Sequence, residues 1–320
     1  MKPKVFITRK IPQEIVEKLE EVCIVDMWEE EDTPIPRGLL ENKVHDIDGL
    51  FCLLTETIDE ELFSKAKNLK VVSNMAVGYN NIDIEAAKQR GITVTNTPGV
   101  LTETTADLTF ALLMATSRRL IEASNYLHTG EWKTWSPMQL TGQDIFGATI
   151  GIIGMGRIGE AVARRAKGFD MKILYHNRSR KLECENILGA QYIELDQLLQ
   201  QSDFVVIMTP YTNETINLIS ERELSLMKPT SILINTARGG IVNEEALYNA
   251  LKNKKIWAAG IDVFEAEPVR LDHPLLSLPN VVALPHIGSA SIKTRLKMAE
   301  LAADNLIKGV TNKRPDHIVV

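Results

Sequence analysis

The segment Thr149-Ile150-Gly151-Ile152-Ile153-Gly154-Met155-Gly156-Arg157-Ile158-Gly159 constrains the fold of this chain more than any other. Its first half is a short apolar run that reads as a buried strand, and Glu160-Ala161-Val162-Ala163-Arg164-Arg165 after it has a helical pattern. Between them, Gly154, Gly156 and Gly159 form the dinucleotide fingerprint in the context it requires, strand before and helix after. The first glycine permits the tight turn, the second lets backbone approach a pyrophosphate, and the third lets helix and strand pack closely. The N–H groups that open the helix then face the anion. An ordinary βα turn is the competing explanation, and the flanking strand and helix weigh against it.

The next strand, Met171–His176, refines the cofactor. Where an NAD site usually places a carboxylate for the ribose 2′-hydroxyl, this chain has Asn177-Arg178-Ser179-Arg180-Lys181. A carboxylate would repel a 2′-phosphate, whereas an arginine, a hydroxyl and further cations hold one through charge-assisted hydrogen bonds. A basic loop opening a helix would look similar. The position favours NADP(H) over NAD(H).

Short β-rich runs alternate with helical segments almost throughout, the pattern of a parallel α/β architecture. Strands are expected at Val5–Thr8, Gly49–Leu54, Leu69–Asn74 and Ile92–Thr95, with helices near 59–67 and 83–90 and Asp83 as a helix cap. Asn96-Thr97-Pro98-Gly99 is a turn signal and a candidate crossing between domains. Residues 102–121 read as one helix with an apolar middle. An arm from Tyr126 to Phe146 follows, with Trp132, Trp135, Met138 and Leu140 among polar residues; a dimer interface is the expected cover. Further strands are expected at Phe204–Met208, Ser231–Asn235, Trp257–Ile261 and Val281–Leu284. A last helix, Ser291 to about Lys308, returns to the first domain, so the chain crosses twice, which suits a hinge over a cleft.

Bulk properties narrow the classes. With 320 residues the chain can form two domains of typical size. A formal charge of −6 argues against general nucleic-acid binding. The opening Met-Lys-Pro-Lys-Val-Phe-Ile-Thr-Arg-Lys has no signal-peptide pattern, and no apolar run is long enough to span a bilayer. Cys23, Cys52 and Cys184 lack metal-ligand spacing and read as buried thiols in a reducing compartment. The cytoplasm is the expected address.

Three expected strand ends carry unusual polar residues: Arg238 in Asn235-Thr236-Ala237-Arg238-Gly239-Gly240, Asp262 and Glu267 in Asp262-Val263-Phe264-Glu265-Ala266-Glu267-Pro268, and His286 in Leu284-Pro285-His286-Ile287-Gly288-Ser289-Ala290. Each alone could be a solvated charge or a satisfied histidine. Successive strand ends beside a dinucleotide site are where open α/β sheets bind ligands. Together with Asn74-Met75-Ala76-Val77-Gly78-Tyr79-Asn80-Asn81-Ile82-Asp83 and Thr97-Pro98-Gly99-Val100-Leu101-Thr102-Glu103-Thr104-Thr105-Ala106-Asp107, these blocks resemble the D-isomer-specific 2-hydroxyacid dehydrogenases over nearly the whole chain. Within that family the Asn-Arg-Ser strand end, the Trp-Lys-Thr-Trp-Ser-Pro arm and His-Ile-Gly-Ser-Ala are most similar to glyoxylate/hydroxypyruvate reductases, which overlap with 2-ketogluconate reductases. The C-terminal regulatory extension of many phosphoglycerate dehydrogenases is not found.

The resemblance implies two Rossmann-like α/β domains: a doubly wound dinucleotide-binding domain, 99–290, inserted in a flavodoxin-like substrate domain, 1–98 and 291–320. It implies that Arg238 holds the substrate carboxylate with its planar fork, aided by backbone N–H groups at Val77 and Gly78. His286 is the implied general acid, with Glu267 paired to it and favouring the imidazolium. Met155, Arg157 and Ile158 supply backbone around the pyrophosphate. Thr105, Pro210, Thr236, Ala237, Asp262 and Gly288 complete the implied cofactor contacts, Asp262 near the nicotinamide. Leu53, Leu54, Trp135 and Met138 are placed at the substrate pocket, Trp135 in a partner subunit of a homodimer or in interface packing alone. Formate dehydrogenases pair the histidine with Gln, and phosphite dehydrogenases carry a lysine in the 75–78 block, so both are disfavoured. A corepressor of the C-terminal-binding-protein type retains the same Arg-Glu-His set and is the alternative from another class; this chain lacks its long disordered tail.

Overall fold

The computed structural model describes residues 1–320. The chain divides into two compact units, one of residues 1–101 with 290–320 and one of residues 102–289. The crossings fall at 101–102 and 289–290, where the sequence placed them at 98–99 and 290–291.

The first unit holds β1 (Lys4–Ile7), β2 (Ile24–Met27), β3 (Gly49–Cys52), β4 (Val71–Asn74) and β5 (Thr93–Thr95) in one parallel sheet of order β2-β1-β3-β4-β5. This is the flavodoxin-like order. β3 and β4 are buried at every position; β3 reads as a continuous apolar run, whereas β4 buries Ser73 and Asn74 after its two valines. β2, missed in the sequence, is a short edge strand with alternating exposure, its apolar residues interrupted by Asp26. Asp59 and Asp83 cap the helices Glu60–Lys65 and Ile84–Gln89 by accepting from Leu62 N and Ala86 N, each at 2.9 Å. The helix Ile292–Val310 lays Ala299, Ala302, Ala303 and Leu306 on one face of the sheet, against Val5, Ile7, Phe51 and Val71.

The second unit holds β6 (Thr149–Ile153), β7 (Lys172–His176), β8 (Gln191–Tyr192), β9 (Phe204–Ile207), β10 (Ile232–Asn235), β11 (Ala258–Ile261) and β12 (Val281–Ala283). They form one parallel sheet of order β12-β11-β10-β9-β6-β7-β8. The order reverses at β6, leaving a crevice between β6 and β9 at the carboxyl ends, where such sheets take ligands. Apolar clusters cover both faces. Each fully buried large side chain, such as Phe204, contributes about 1.5–3 kcal/mol. The two-residue β8 was not legible in the sequence.

The single helix expected over 102–121 is two helices, Thr102–Ser117 and Leu120–His128. Arg119 between them has φ 52°, in the left-handed region. The freed Ser117 carbonyl accepts the N–H of Gln143, where the arm returns. Tyr126, expected to open the arm, is therefore helical. None of the second helix's residues is buried. Cys23, Cys52 and Cys184 are buried and unpaired, and burial pushes the Cys23 and Cys184 thiols up to about 11. No helix is long and apolar enough to cross a membrane.

Candidate active site

The fingerprint turn has the geometry its glycines require. Gly154 has φ +103°, and a Cβ there would lie 2.6 Å from the Met208 carbonyl carbon and 2.8 Å from Thr209 N, the chain leaving β9. Only glycine fits. Gly156 caps the helix Arg157–Lys167 without any side-chain acceptor, and a Cβ on it would meet nothing within 4 Å. Its exposed turn therefore offers helix N–H groups to open space, which fits a pyrophosphate. Met155 is wholly buried in side chain and Arg157 is exposed, so at Met155 only backbone can face a ligand. Gly159 packs against the Gly154 carbonyl, and Ile158 is half-buried. Pro210 lies just past β9, its carbonyl accepting from Thr215 Oγ1 at 2.7 Å.

At the end of β7 the basic residues divide. Asn177 Nδ2 donates to the Ser179 carbonyl at 3.0 Å, shaping the turn, while Arg178 and Ser179 are exposed. Arg180 is ion-paired with Glu185, which also accepts from Tyr175 Oη at 2.7 Å. Of the cations expected to meet a 2′-phosphate, Arg180 is thus already committed.

Three neighbouring strands bring the remaining residues together. β10 ends in Asn235, whose Oδ1 accepts from Ala237 N at 3.1 Å and whose Nδ2 donates to the Arg238 carbonyl at 3.0 Å. This side-chain turn bends the chain so that Arg238 follows the strand directly. Thr236 Oγ1 is 2.6 Å from Thr109 Oγ1, so its hydroxyl is tied to the helix Thr102–Ser117. Ala237 gives its carbonyl to Arg238 Nη1 at 2.8 Å. Burial lowers the pKa of Arg238, partly offset by the charge of Glu267.

β11 runs into Asp262, which is fully buried. Its carbonyl accepts from His286 N at 2.9 Å and its Oδ1 from Ile287 N at 2.8 Å, joining the ends of β11 and β12. Oδ2 is buried with no hydrogen-bond partner, and burial raises this carboxyl above its ordinary range. A Cβ on Gly288 would lie 3.3 Å from that oxygen and 3.5 Å from Thr105 Cγ2, so Thr105, Asp262 and Gly288 share one small site. An unsatisfied buried acceptor fits an amide donor such as that of a nicotinamide.

His286 Nδ1 is 2.6 Å from Glu267 Oε2, and Glu267 Oε1 accepts from Phe264 N at 2.9 Å. Burial pushes the Glu267 carboxyl up, but the bond and charge of His286, the Phe264 N–H and Arg238 outweigh it and hold the group below its ordinary range. His286 has φ 54°, an uncommon backbone for a non-glycine residue. The pairing through Nδ1 leaves Nε2 as the ring nitrogen that Glu267 does not engage.

The other expected site residues lie in the first unit or on the arm. Leu53 follows β3; its N–H donates to Glu56 Oε2 at 2.8 Å and its carbonyl accepts from Asn81 at 3.0 Å. The carbonyls of Val77 and Gly78 accept from Asn96 and Asn74 at 2.8 and 2.9 Å. Trp135 is 75% exposed and Met138 76%. Sequence reasoning missed the supports. Glu56, only 4% exposed, also accepts from Thr8 Oγ1 at 2.7 Å. Its signal was an acid within the apolar-flanked run Leu53-Leu54-Thr55-Glu56, which alone does not reveal burial.

Comparison with known proteins identifies the family. Residues 110–288 match the model of the D-isomer specific 2-hydroxyacid dehydrogenase NAD binding domain. The chain is 52% identical over 320 residues to a glyoxylate reductase of Korarchaeum cryptofilum, covering 100% of this chain and 96% of the relative. It is 52% identical over 323 residues to one from Pyrococcus furiosus, with the same coverage. A Thermus thermophilus crystal structure superposes with TM-score 0.93 at 43% identity, covering 99% of this chain and 100% of that one. An NADPH-dependent glyoxylate/hydroxypyruvate reductase from Sinorhizobium meliloti, solved with NADP and malonate, does so with TM-score 0.87 at 35% identity, covering 100% and 97%. With its two parallel sheets, its fingerprint turn and these full-length likenesses, the chain belongs to the D-isomer-specific 2-hydroxyacid dehydrogenase family of oxidoreductases.

Proposed function

We propose that this enzyme reduces glyoxylate and hydroxypyruvate to the corresponding 2-hydroxy acids, D-configured where a stereocentre forms, with NADPH as the preferred donor. The observation that carries this is the Glu267–His286 pair, 2.6 Å apart, on the strand end next to Asp262 and its unsatisfied Oδ2. The dinucleotide, when bound, supplies a hydride from nicotinamide C4. His286, held through Nδ1 by an ionised Glu267, presents Nε2 to the keto oxygen and gives up the proton that makes it a hydroxyl. In the reverse direction the neutral ring takes that proton back. Arg238 grips the substrate carboxylate with two parallel N–H groups and polarises the keto oxygen. In the first unit, Leu53 and the backbone N–H groups of Val77 and Gly78 are assigned to the substrate.

For the cofactor, Gly154 to Gly159 receive the pyrophosphate, with backbone at Met155, Arg157 and Ile158. Thr105, Pro210, Thr236, Ala237, Asp262 and Gly288 surround the nicotinamide end. Asn177, Arg178 and Ser179 take the ribose, the last two meeting a 2′-phosphate. The name of the Sinorhizobium meliloti relative, with NADP in its structure, supports this preference. The names of the relatives support glyoxylate as a substrate. Carbon-chain discrimination is worth only about 1–3 kcal/mol per methylene, so turnover of longer 2-keto acids such as 2-ketogluconate is expected as well. The enzyme acts as a homodimer through the exposed apolar face of the helix Leu120–His128 and the arm after it. Trp135 belongs to that face, so its part in substrate binding is played toward the partner copy.

The test is consumption of NADPH and of NADH with glyoxylate, hydroxypyruvate and 2-ketogluconate, for the wild type and Arg178→Ala. Faster turnover with NADPH, with the preference falling about tenfold or more in the variant, is the expected result. Turnover faster with NADH would overturn the cofactor assignment, and none with any keto acid would overturn the activity.

A further inference from the structure

Behind the Glu267–His286 pair, two more side chains hold the segment from which Glu267 springs. Glu244 opens the helix Glu244–Lys252, which Asn243 caps by accepting from Ala246 N at 2.8 Å. Acids in the first turn of a helix ordinarily answer to the helix dipole, and the neighbouring Glu245 needs no other account. Glu244 is different. Its side chain is 18% exposed and both of its oxygens are spent on the loop after β11. Oε1 accepts from Glu265 N at 2.7 Å, and Oε2 is 3.0 Å from His273 Nε2. The His273 ring stands edge-on to Phe264, centroids 5.7 Å apart, with its Nδ1 buried and without a partner.

The Phe264–Glu265 peptide is where the two halves of the active site meet. The N–H of Phe264, one peptide earlier, serves the acid by donating to Glu267 Oε1, while the Phe264–Glu265 peptide itself faces the arginine turn. Gly239, next to Arg238, runs so close to the same peptide that any Cβ would overlap the Phe264 carbonyl. The trailing N–H, that of Glu265, is held by Glu244. The two successive peptides on either side of Phe264 thus link the arginine turn to the Glu267–His286 pair, and Glu244 is the side chain that pins the second of them.

We infer that Glu244, oriented by His273, is a positioning residue for hydride reduction, acting through the Phe264–Glu265 peptide on Glu267 and His286. This rests on the proposed roles of Arg238 and His286. Releasing the peptide leaves Arg238 able to grip the substrate carboxylate but misplaces the proton donor. The loss therefore falls on kcat and not on KM. Misplacement on the order of 1 Å can cost about a hundredfold in rate.

The experiment is steady-state reduction of glyoxylate by NADPH with the full chain, comparing Glu244→Ala, Glu244→Gln, His273→Ala and His286→Ala. Expected for Glu244→Ala is a kcat lowered about 10- to 100-fold with both KM values within about threefold of wild type. Glu244→Gln, whose amide oxygen can still accept from Glu265 N, recovers most of that loss. His273→Ala lies between them. Glu244→Ala with undiminished kcat, or Gln no better than Ala, would overturn the assignment. Should Glu244→Ala fail to fold, His273→Ala with full kcat does so instead. If His286→Ala itself retains full turnover, the reading of the site fails; if it abolishes turnover while Glu244→Ala does not, only the positioning role fails.

Discussion

Asp262 carries an oxygen that the folded chain leaves without a donor. In the unfolded chain the group ionises at about 3.9. In the fold, burial raises its pKa, so its charge is disfavoured there. The sign follows from linkage: Asp262 destabilises the fold as pH rises above the unfolded value, reaching its full cost above the folded one, and costs nothing in acid. Asp262→Asn is therefore expected to raise the melting temperature at neutral pH by a few degrees, the gain vanishing below about pH 4. The same change removes the acceptor assigned to the nicotinamide and weakens dinucleotide binding by about tenfold or more. Thermal unfolding across pH, together with a dinucleotide titration, checks both halves. The sequence singles out Arg238, Asp262, Glu267 and His286 because they fall in segments that follow successive apolar strands and match motifs of the family. Glu56, Glu244 and His273 are not singled out, because their roles come from contacts between segments distant in sequence, and nothing local distinguishes them from solvated surface residues.

Fully buried strands were the plainest in the sequence, although the half-buried β12 was read as well. The apolar runs of β3 and β9 and the apolar starts of β4 and β10 announce themselves, whereas Asp26 interrupts β2 and β8 is only two residues long. The break at Arg119 was hidden because apolar residues continue through Leu120 and Ile121 on a face that the fold leaves exposed. At the fingerprint turn, two glycines of one motif are expected to behave oppositely. Gly154→Ala forces a Cβ into the backbone after β9 and is expected to destabilise the fold by several kcal/mol, about the strain of an unfavourable φ plus backbone displacement. Gly156→Ala meets only open space, so the melting temperature should shift by no more than about 2 °C while dinucleotide affinity falls about tenfold or more. Calorimetry without ligand and fluorescence titration with NADPH separate the two.

At the scale of the whole molecule, the exposed apolar face carries the clearest expectation. Leu120, Ile121, Leu127 and Trp132 are each at least 50% exposed, and a patch of that kind is stable in water when another surface covers it. Sedimentation should find a dimer for the wild type and a monomer for Leu127→Glu, with the charge placed in the middle of the face; a wild-type monomer would reject the interface. The path of the chain has a consequence for synthesis. Ser73 Oγ donates to the carbonyl of Ala302 at 2.7 Å, across 229 positions of sequence, and the helix containing Ala302 covers one face of the first sheet. As the polypeptide leaves the ribosome, β1 to β5 emerge first but on that face have only the helix Gln13–Glu20 as cover until the final helix emerges. The unit of residues 102–289 is continuous and needs no later segment for its sheet. The guest in the middle of this chain can finish folding before its host, and the part made first is the part completed last.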